Sequence, residues 1–428
     1  MLSVKNPIMT GFFPDPSICR VGNKFYTVHS TFAYFPGVPV FESEDLVHWN
    51  LISNVLDRDS QVPLSGCQHS EGIFAPTIRY HKGTWYMITT NVSDQGNFIV
   101  TAKDPRGPWS EPYYLGESTG GIDPSLFFDD DGTCYYIGQR PRSAGYRYNG
   151  DCEIWIQTLD LDTMQLKPDA TIVLTGFQRK AIWPEGPHLY KKDGYYYILH
   201  AESGTSIHHS VMIARSKNVF GPYEYCPCNP ILTHRHLGAQ YPVTCVGHAD
   251  LVDDGNGNWY MVVLACRPNQ GYTLLGRETF LAKVTWEDGW PVVNAGVGHL
   301  EEVVTLPYEG QPSDDVPQCK TYTFDTPSLP LELLTLRNHR DHELELHAEE
   351  HIVRLFHRCD SLKDCGEPAY LALRQQHWNC EFETSFIPHF CKESDCAGIA
   401  MVQSNENHLR AECYPQDSGI KLVVSLCK

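Results

Sequence analysis

The chain has 428 residues, 42% hydrophobic and 12% aromatic, and its 52 acidic residues against 33 basic ones leave a net charge of −19. That excess makes nucleic acid and anionic membranes poor partners, and no segment approaches the roughly 18 consecutive apolar residues of a membrane helix. The N-terminus, MLSVKNPIMTGFF, lacks the charged and apolar regions of a secretory signal. The 16 cysteines show no zinc-type spacing, so they read as buried thiols of a cytoplasmic protein with no structural metal. At roughly 100–200 residues per domain, two or three domains are expected.

Along the chain, five segments share one pattern. They are DPSICRVGNKFYTVHS from Asp15, APTIRYHKGTWYMITT from Ala75, DPSLFFDDDGTCYYIGQ from Asp123, EGPHLYKKDGYYYILHA from Glu185 and HADLVDDGNGNWYMVVLA from His248. Each has a short opening motif, an apolar strand, a turn holding Gly, an aromatic pair and a second apolar strand. Turns such as Asn-Gly and Asp-Gly suit tight hairpins, and the aromatic pairs suit pleated strands. A second hairpin follows each pair, as in VFESEDLVHWNLI and FLAKVTWEDGWPVV. Four strands repeated at intervals of 60, 48, 62 and 63 residues predict an all-β, five-bladed β-propeller over 1–306. A sandwich would not explain five matched aromatic pairs, and a helical solenoid needs a 3.6-residue period that is scarce here.

In a propeller the first strand of each blade lines the channel, so matching positions form a ring. Aligned on the aromatic pairs, that ring contains Asp15, Ala75, Asp123, Glu185 and His248. Asp and Glu are seldom buried without partners. These carboxylates could cap turns, since Asp-Pro suits a strand start; Glu185-Gly186-Pro187 does not fit that explanation. Converging carboxylates with separated pKa values are the equipment of glycoside hydrolysis. Placement across a channel suits the wider, inverting separation of roughly 6.5–9.5 Å.

The motifs FPDPS around Asp15, GGIDPSLFFDDDG around Asp123, WPEGPHLY around Glu185, GHADLV around His248 and LLGRETFLAKVTWEDGWP around Arg277 together resemble glycoside hydrolase family 43, in its β-xylosidase and α-L-arabinofuranosidase branch. The resemblance implies that Asp15 is the general base, Glu185 the general acid, and Asp123 the carboxylate that tunes the acid. It implies that Arg277 binds sugar hydroxyls and that Phe32 lines the sugar pocket. Phe74 stands where relatives carry Trp, which keeps an apolar platform but shrinks it. His248 matches a channel histidine that in some relatives lies near a central ion or water. No cofactor is required on this reading, and a channel ion such as calcium near His248 is left open.

YEGQPSDDVPQC reads as a linker, 307–319. Alternation resumes in TYTFDTP, ELELHA, YLALRQQHWNCEFETSF, AGIAMVQSNENHLRAECY and GIKLVVSL. Residues 320–428 are therefore expected to form a β-sandwich. It resembles the C-terminal jelly-roll domain of this branch, shortened here, and its open edge leaves oligomerisation open. The expected activity is release of xylose from the non-reducing end of short β-1,4-xylo-oligosaccharides by inversion, with α-L-arabinofuranosidase side activity. The rivals are a dedicated arabinofuranosidase, a non-catalytic glycan-binding propeller, and a protein-interaction propeller whose Trp-Asp signature is not seen.

Overall fold

The computed structural model describes residues 1–116, 120–311, 319–338, 344–417 and 419–428. Five antiparallel sheets follow one another along the chain. The first holds Ser17–Val21, Lys24–Val28, Gly37–Ser43 and Asn50–Leu56. The second begins at Thr77–His81, the third at Ile122–Phe128, the fourth at Glu185–Lys192 and the fifth at Thr244–Asp253. The third sheet gains a fifth strand, Thr171–Thr175, paired with Cys152–Asp160. The first strands of neighbouring sheets touch in cyclic order, and the fifth touches the first. This is a propeller-type arrangement.

Successive strand residues point to opposite faces, so each sheet feeds two cores. Tyr197 and Leu199 pack toward the fifth sheet with Met261 and Val263, whereas Ile198 packs toward the third with Ile137 and Ile154. The same division recurs around the ring, giving five cores, each between two neighbouring sheets. It accounts for strands that read as almost continuous apolar runs. Leu2–Lys5 pairs with Val303–Leu306, joining the two ends of the sheet-forming region.

Below the candidate site the first strands meet at Asp250, which is fully buried. It accepts hydrogen bonds from Ser17 Oγ (2.8 Å), Tyr190 Oη (2.5 Å) and Arg79 (3.0 Å). Four sheets thus share one carboxylate. Burial raises its pKa, but Arg79, His188 and Tyr190 outweigh that and bring it down to about 2.

The C-terminal region holds a hairpin, Leu344–His347 with Ile352–Leu355, and a three-stranded sheet of Ala397–Val402, His408–Gln416 and Gly419–Cys427. The expected strands near 320–326 and 370–386 do not form. Among the described residues nothing pairs along them beyond one bridge, Leu334 with Ala372, and a strand needs a neighbour to satisfy its ladder. Residues 312–318 of the expected linker lie outside the described residues. Thr335–Leu336 pairs with Tyr34–Phe35 of the first sheet's connection. The buried Arg337 side chain donates to Cys67 O (2.8 Å) and Gly366 O (2.7 Å). The C-terminal region is therefore held beside Phe32.

Candidate active site

Asp15, Asp123 and His248 all occupy positive-φ positions, at 54°, 55° and 49°. Each lies two residues before a first-strand residue that pairs with the second strand, namely Ser17, Ser125 and Asp250. In the fourth sheet that pairing residue is His188, so the matching ring position is Gly186, at φ 58°. The expected ring is therefore corrected by one residue: Gly186 takes the place assigned to Glu185, and Glu185 stands one residue earlier, paired with Ala201. The reason is steric. A Cβ on Gly186 would lie 2.9–3.2 Å from three atoms of the His248 ring, closer than real Cβ contacts. Gly186 N–H donates to Asp123 Oδ2 at 3.0 Å, which ties the Glu185 backbone to the second carboxylate.

The three carboxylates sit in unlike surroundings. Asp15 is 5% exposed; its Oδ1 accepts from Arg277 Nη1 and its Oδ2 from Ser30 Oγ, both at 2.6 Å. His248 Nδ1 lies 3.9 Å from the same Oδ1. Burial pushes the Asp15 pKa up, but Arg277, His248 and Ser30 together overcome this and hold it below the ordinary value. Asp123, also buried, is raised to about 6 by burial and the Asp15 charge, against His248 and the Gly186 N–H. Glu185 is pushed well above the ordinary range by burial and by Asp123 and Asp15. The surroundings thus push the Asp15 and Glu185 pKa values in opposite directions, the separation that paired acid–base chemistry needs.

An aromatic wall adjoins these groups. Phe32 stacks on Phe12 with ring centroids 5.7 Å apart and meets Phe74 edge-on at 5.4 Å. The Arg277 guanidinium lies 5.3 Å from the Phe32 ring and 5.7 Å from the Phe12 ring. All seven residues singled out in the sequence therefore belong to one connected neighbourhood. Phe12, Ser30, His209 and Glu278 were not foreseen. The fully buried Glu278 receives a fork from Arg267 (2.7 and 2.8 Å) and the Gly11 N–H (3.0 Å), fixing the strand that follows Arg277 against the loop that carries Phe12 and Asp15. Its signal was its position beside Arg277.

Calcium takes six to eight oxygen ligands. Around His248 the protein offers an imidazole, the Asp15 carboxylate already engaged by Arg277 and Ser30, and the Asp123 carboxylate already bonded to the Gly186 N–H. Among the described residues no group of three or more His, Cys, Asp or Glu side chains could hold a metal. These donors do not fit a protein-built calcium site, and no step below is routed through one.

A propeller-type fold whose first strands bring together buried carboxylates with pKa values shifted in opposite directions, beside an arginine and an aromatic wall, defines an enzyme of the glycoside-hydrolysing class. The family description "Glycosyl hydrolases family 43" matches residues 4–291, and "Beta xylosidase C-terminal Concanavalin A-like domain" matches 321–428. The chain belongs to glycoside hydrolase family 43. It is 55% identical over 413 residues to a xylosidase/arabinosidase of Butyrivibrio fibrisolvens, covering 96% of this chain and 79% of that protein. It is 40% identical over 418 residues to a non-reducing end α-L-arabinofuranosidase of Bacteroides ovatus, covering 94% and 74%. The crystal structure of a xylan β-1,4-xylosidase from Bacillus halodurans superposes with a TM-score of 0.87 at 36% identity, covering 99% of this chain and 82% of that one. No helix among the described residues is long and apolar enough to cross a membrane.

Proposed function

We propose that this chain is an exo-acting β-xylosidase, releasing xylose from the non-reducing end of β-1,4-xylo-oligosaccharides with inversion, and that it also accepts α-L-arabinofuranosides. The observation that carries the reading is the contrast between Asp15, bonded at 2.6 Å to both Arg277 and Ser30 with its pKa held below the ordinary value, and Glu185, whose pKa is pushed well above it by burial beside two carboxylates. In the reaction, Asp15 takes a proton from a water whose oxygen attacks the anomeric carbon. Glu185 gives its proton to the departing glycosidic oxygen. Asp123 keeps Glu185 protonated by like-charge repulsion and fixes its backbone through the Gly186 N–H. Arg277 has N–H groups beyond the one given to Asp15, and these suit sugar hydroxyls; Phe12, Phe32 and Phe74 suit the ring's apolar face.

The relatives' names favour xylose and arabinose as the terminal sugars. We assign the catalytic unit to 1–306 on a five-bladed propeller, a linker to 307–319, and the accompanying sandwich to 320–428. A cytoplasmic location is supported by all 16 cysteines being unpaired and suits imported oligosaccharides. The test is Glu185→Gln assayed on two substrates. Turnover of xylobiose, whose leaving group needs a proton, should fall about a thousandfold, and that of 2,4-dinitrophenyl xyloside, whose leaving group does not, by less than about tenfold. Equal losses on both would remove Glu185 from the acid role.

A further inference from the structure

Just upstream of Glu185 the chain lines a second feature. A cleft of about 480 Å³ is bordered by Arg179, Lys180, Glu202, Ser206, His208 and Arg235, and it is floored by Ala181 and Ile182. A neighbouring recess of about 330 Å³ shares Arg235 and adds His236. Trp183 stands in the chain between this cleft and Glu185. It is 39% exposed at φ 47°, a strained conformation for a large side chain. Hydrogen bonds from Trp183 N–H to Gly150 O (2.8 Å) and from Ser203 N–H to Ile182 O (2.8 Å) hold it there. Its ring lies where a Cβ on Gly204 would be, 2.8 Å away. Ala201, paired with Glu185, is followed directly by Glu202 and Ser203 on the cleft wall. The cleft therefore lies beside the end of the strand that carries Glu185.

Its charge is the reverse of the protein's. The chain as a whole carries −19, yet this wall holds three cations and one carboxylate. That carboxylate, Glu202, is paired with Arg179, and Arg179 is also stacked over Tyr225 at 4.1 Å. Arg179 is thus fixed as scaffold. Lys180 and Arg235 have no carboxylate within ion-pair distance among the described residues, and both side chains are exposed. Two unspent cations line one recess, close in the chain to an exposed tryptophan and to the strand that carries Glu185.

We propose that this cleft is a leaving-group subsite for an acidic oligosaccharide: a xylo-oligosaccharide whose leaving portion carries a uronic acid, with the uronate carboxylate taken by Lys180 and Arg235 and a sugar face laid on Trp183. Charge-assisted hydrogen bonds to a carboxylate are roughly twice as strong as neutral ones. The inference rests on the xylosidase reading for the direction in which the leaving group departs. Binding, however, can be measured without turnover.

The experiment is calorimetric titration of the whole chain with sulfur-linked xylobiose, whose thioglycosidic bond resists hydrolysis, and with the same disaccharide bearing glucuronic acid on its reducing-end unit, then of Lys180→Ala/Arg235→Ala. The acidic sugar should bind the wild-type chain about tenfold more tightly than the neutral one, and the double substitution should bring the ratio to about one. Unchanged melting of the double variant shows that it folds. Equal affinities in the wild type, or a preference that survives the double substitution, would overturn the proposal. If sodium sulfate binds at Lys180 and Arg235 while the two sugars bind equally, the cleft is a free-anion site and the uronate assignment falls. Hydrolysis of neutral xylotriose, followed separately, reports on the xylosidase reading alone: its absence would sink that reading while the binding ratio still judged the cleft.

Discussion

Replacing Gly186 by alanine adds a single methyl group at the point where two catalytic backbones meet. The cost has two parts. At φ 58° an alanine is strained by about 1–2 kcal/mol. The new Cβ would also stand 2.9 Å from His248 Cε1 and 3.0 Å from Nδ1, and His248 is 6% exposed with little room to retreat. Overpacking of this kind costs about 1–3 kcal/mol, so a total of about 2–5 kcal/mol is expected. Relief by movement of His248 disturbs its 3.9 Å approach to Asp15, and movement of the backbone breaks the 3.0 Å bond to Asp123. Displacements near 1 Å at a catalytic group can cost about a hundredfold in rate. The assay pairs chemical denaturation with release of nitrophenol from an aryl xyloside. Gly22→Ala is the control, because it has positive φ, at 63°, but nothing within 4 Å of its added Cβ. It should lose about 1 kcal/mol and no activity. Wild-type rate and stability in Gly186→Ala, or equal effects in both variants, would refute the steric account of the ring.

Three other outcomes follow from the same geometry. Arg277→Lys weakens the contact that lowers the Asp15 pKa. As the proposed base Asp15 works deprotonated, so the acid limb of the kcat/KM profile should move to higher pH, with a loss of about tenfold or more at the optimum; an unmoved acid limb contradicts it. Asp250→Asn leaves Arg79 buried without its charge partner and should cost about 3–5 kcal/mol in denaturant unfolding, a loss under about 1 kcal/mol being contrary. The folded pKa of Asp250 lies below its unfolded value. Its stabilising contribution is therefore full above the ordinary carboxylate pKa and fades as pH falls toward about 2. In the wild type this should appear as a drop of about 2 kcal/mol across that window, absent in Asp250→Asn.

The repeat was legible because each sheet opens with the same hairpin, and the expected second hairpins form where they were read. The three carboxylates were legible because such residues are rarely buried for packing. Alignment on the aromatic pairs puts Glu185 in the ring because turn lengths differ between sheets. Pro16, Pro76, Pro124 and Pro187 would have been the better ruler: each directly follows a ring position, which puts Gly186 rather than Glu185 in the ring. Asp250 was hidden inside GHADLVDD, where three acidic residues look alike and only the distant Arg79 and Tyr190 mark one as a hub. Phe12 read as part of an apolar run, since its partner Phe32 is remote in sequence. In the C-terminal region alternation alone overpredicted strands, because alternation records which faces differ and not whether a neighbouring strand is present.

The central claim is that Asp15 activates a water on the face of the sugar opposite Glu185. Proton NMR of xylobiose during hydrolysis reads this directly from the anomeric signals of the first product formed. The account predicts α-xylose first, with β-xylose growing only as mutarotation proceeds. β-Xylose appearing first would mean that the configuration is retained and that Asp15 is not a base acting on water.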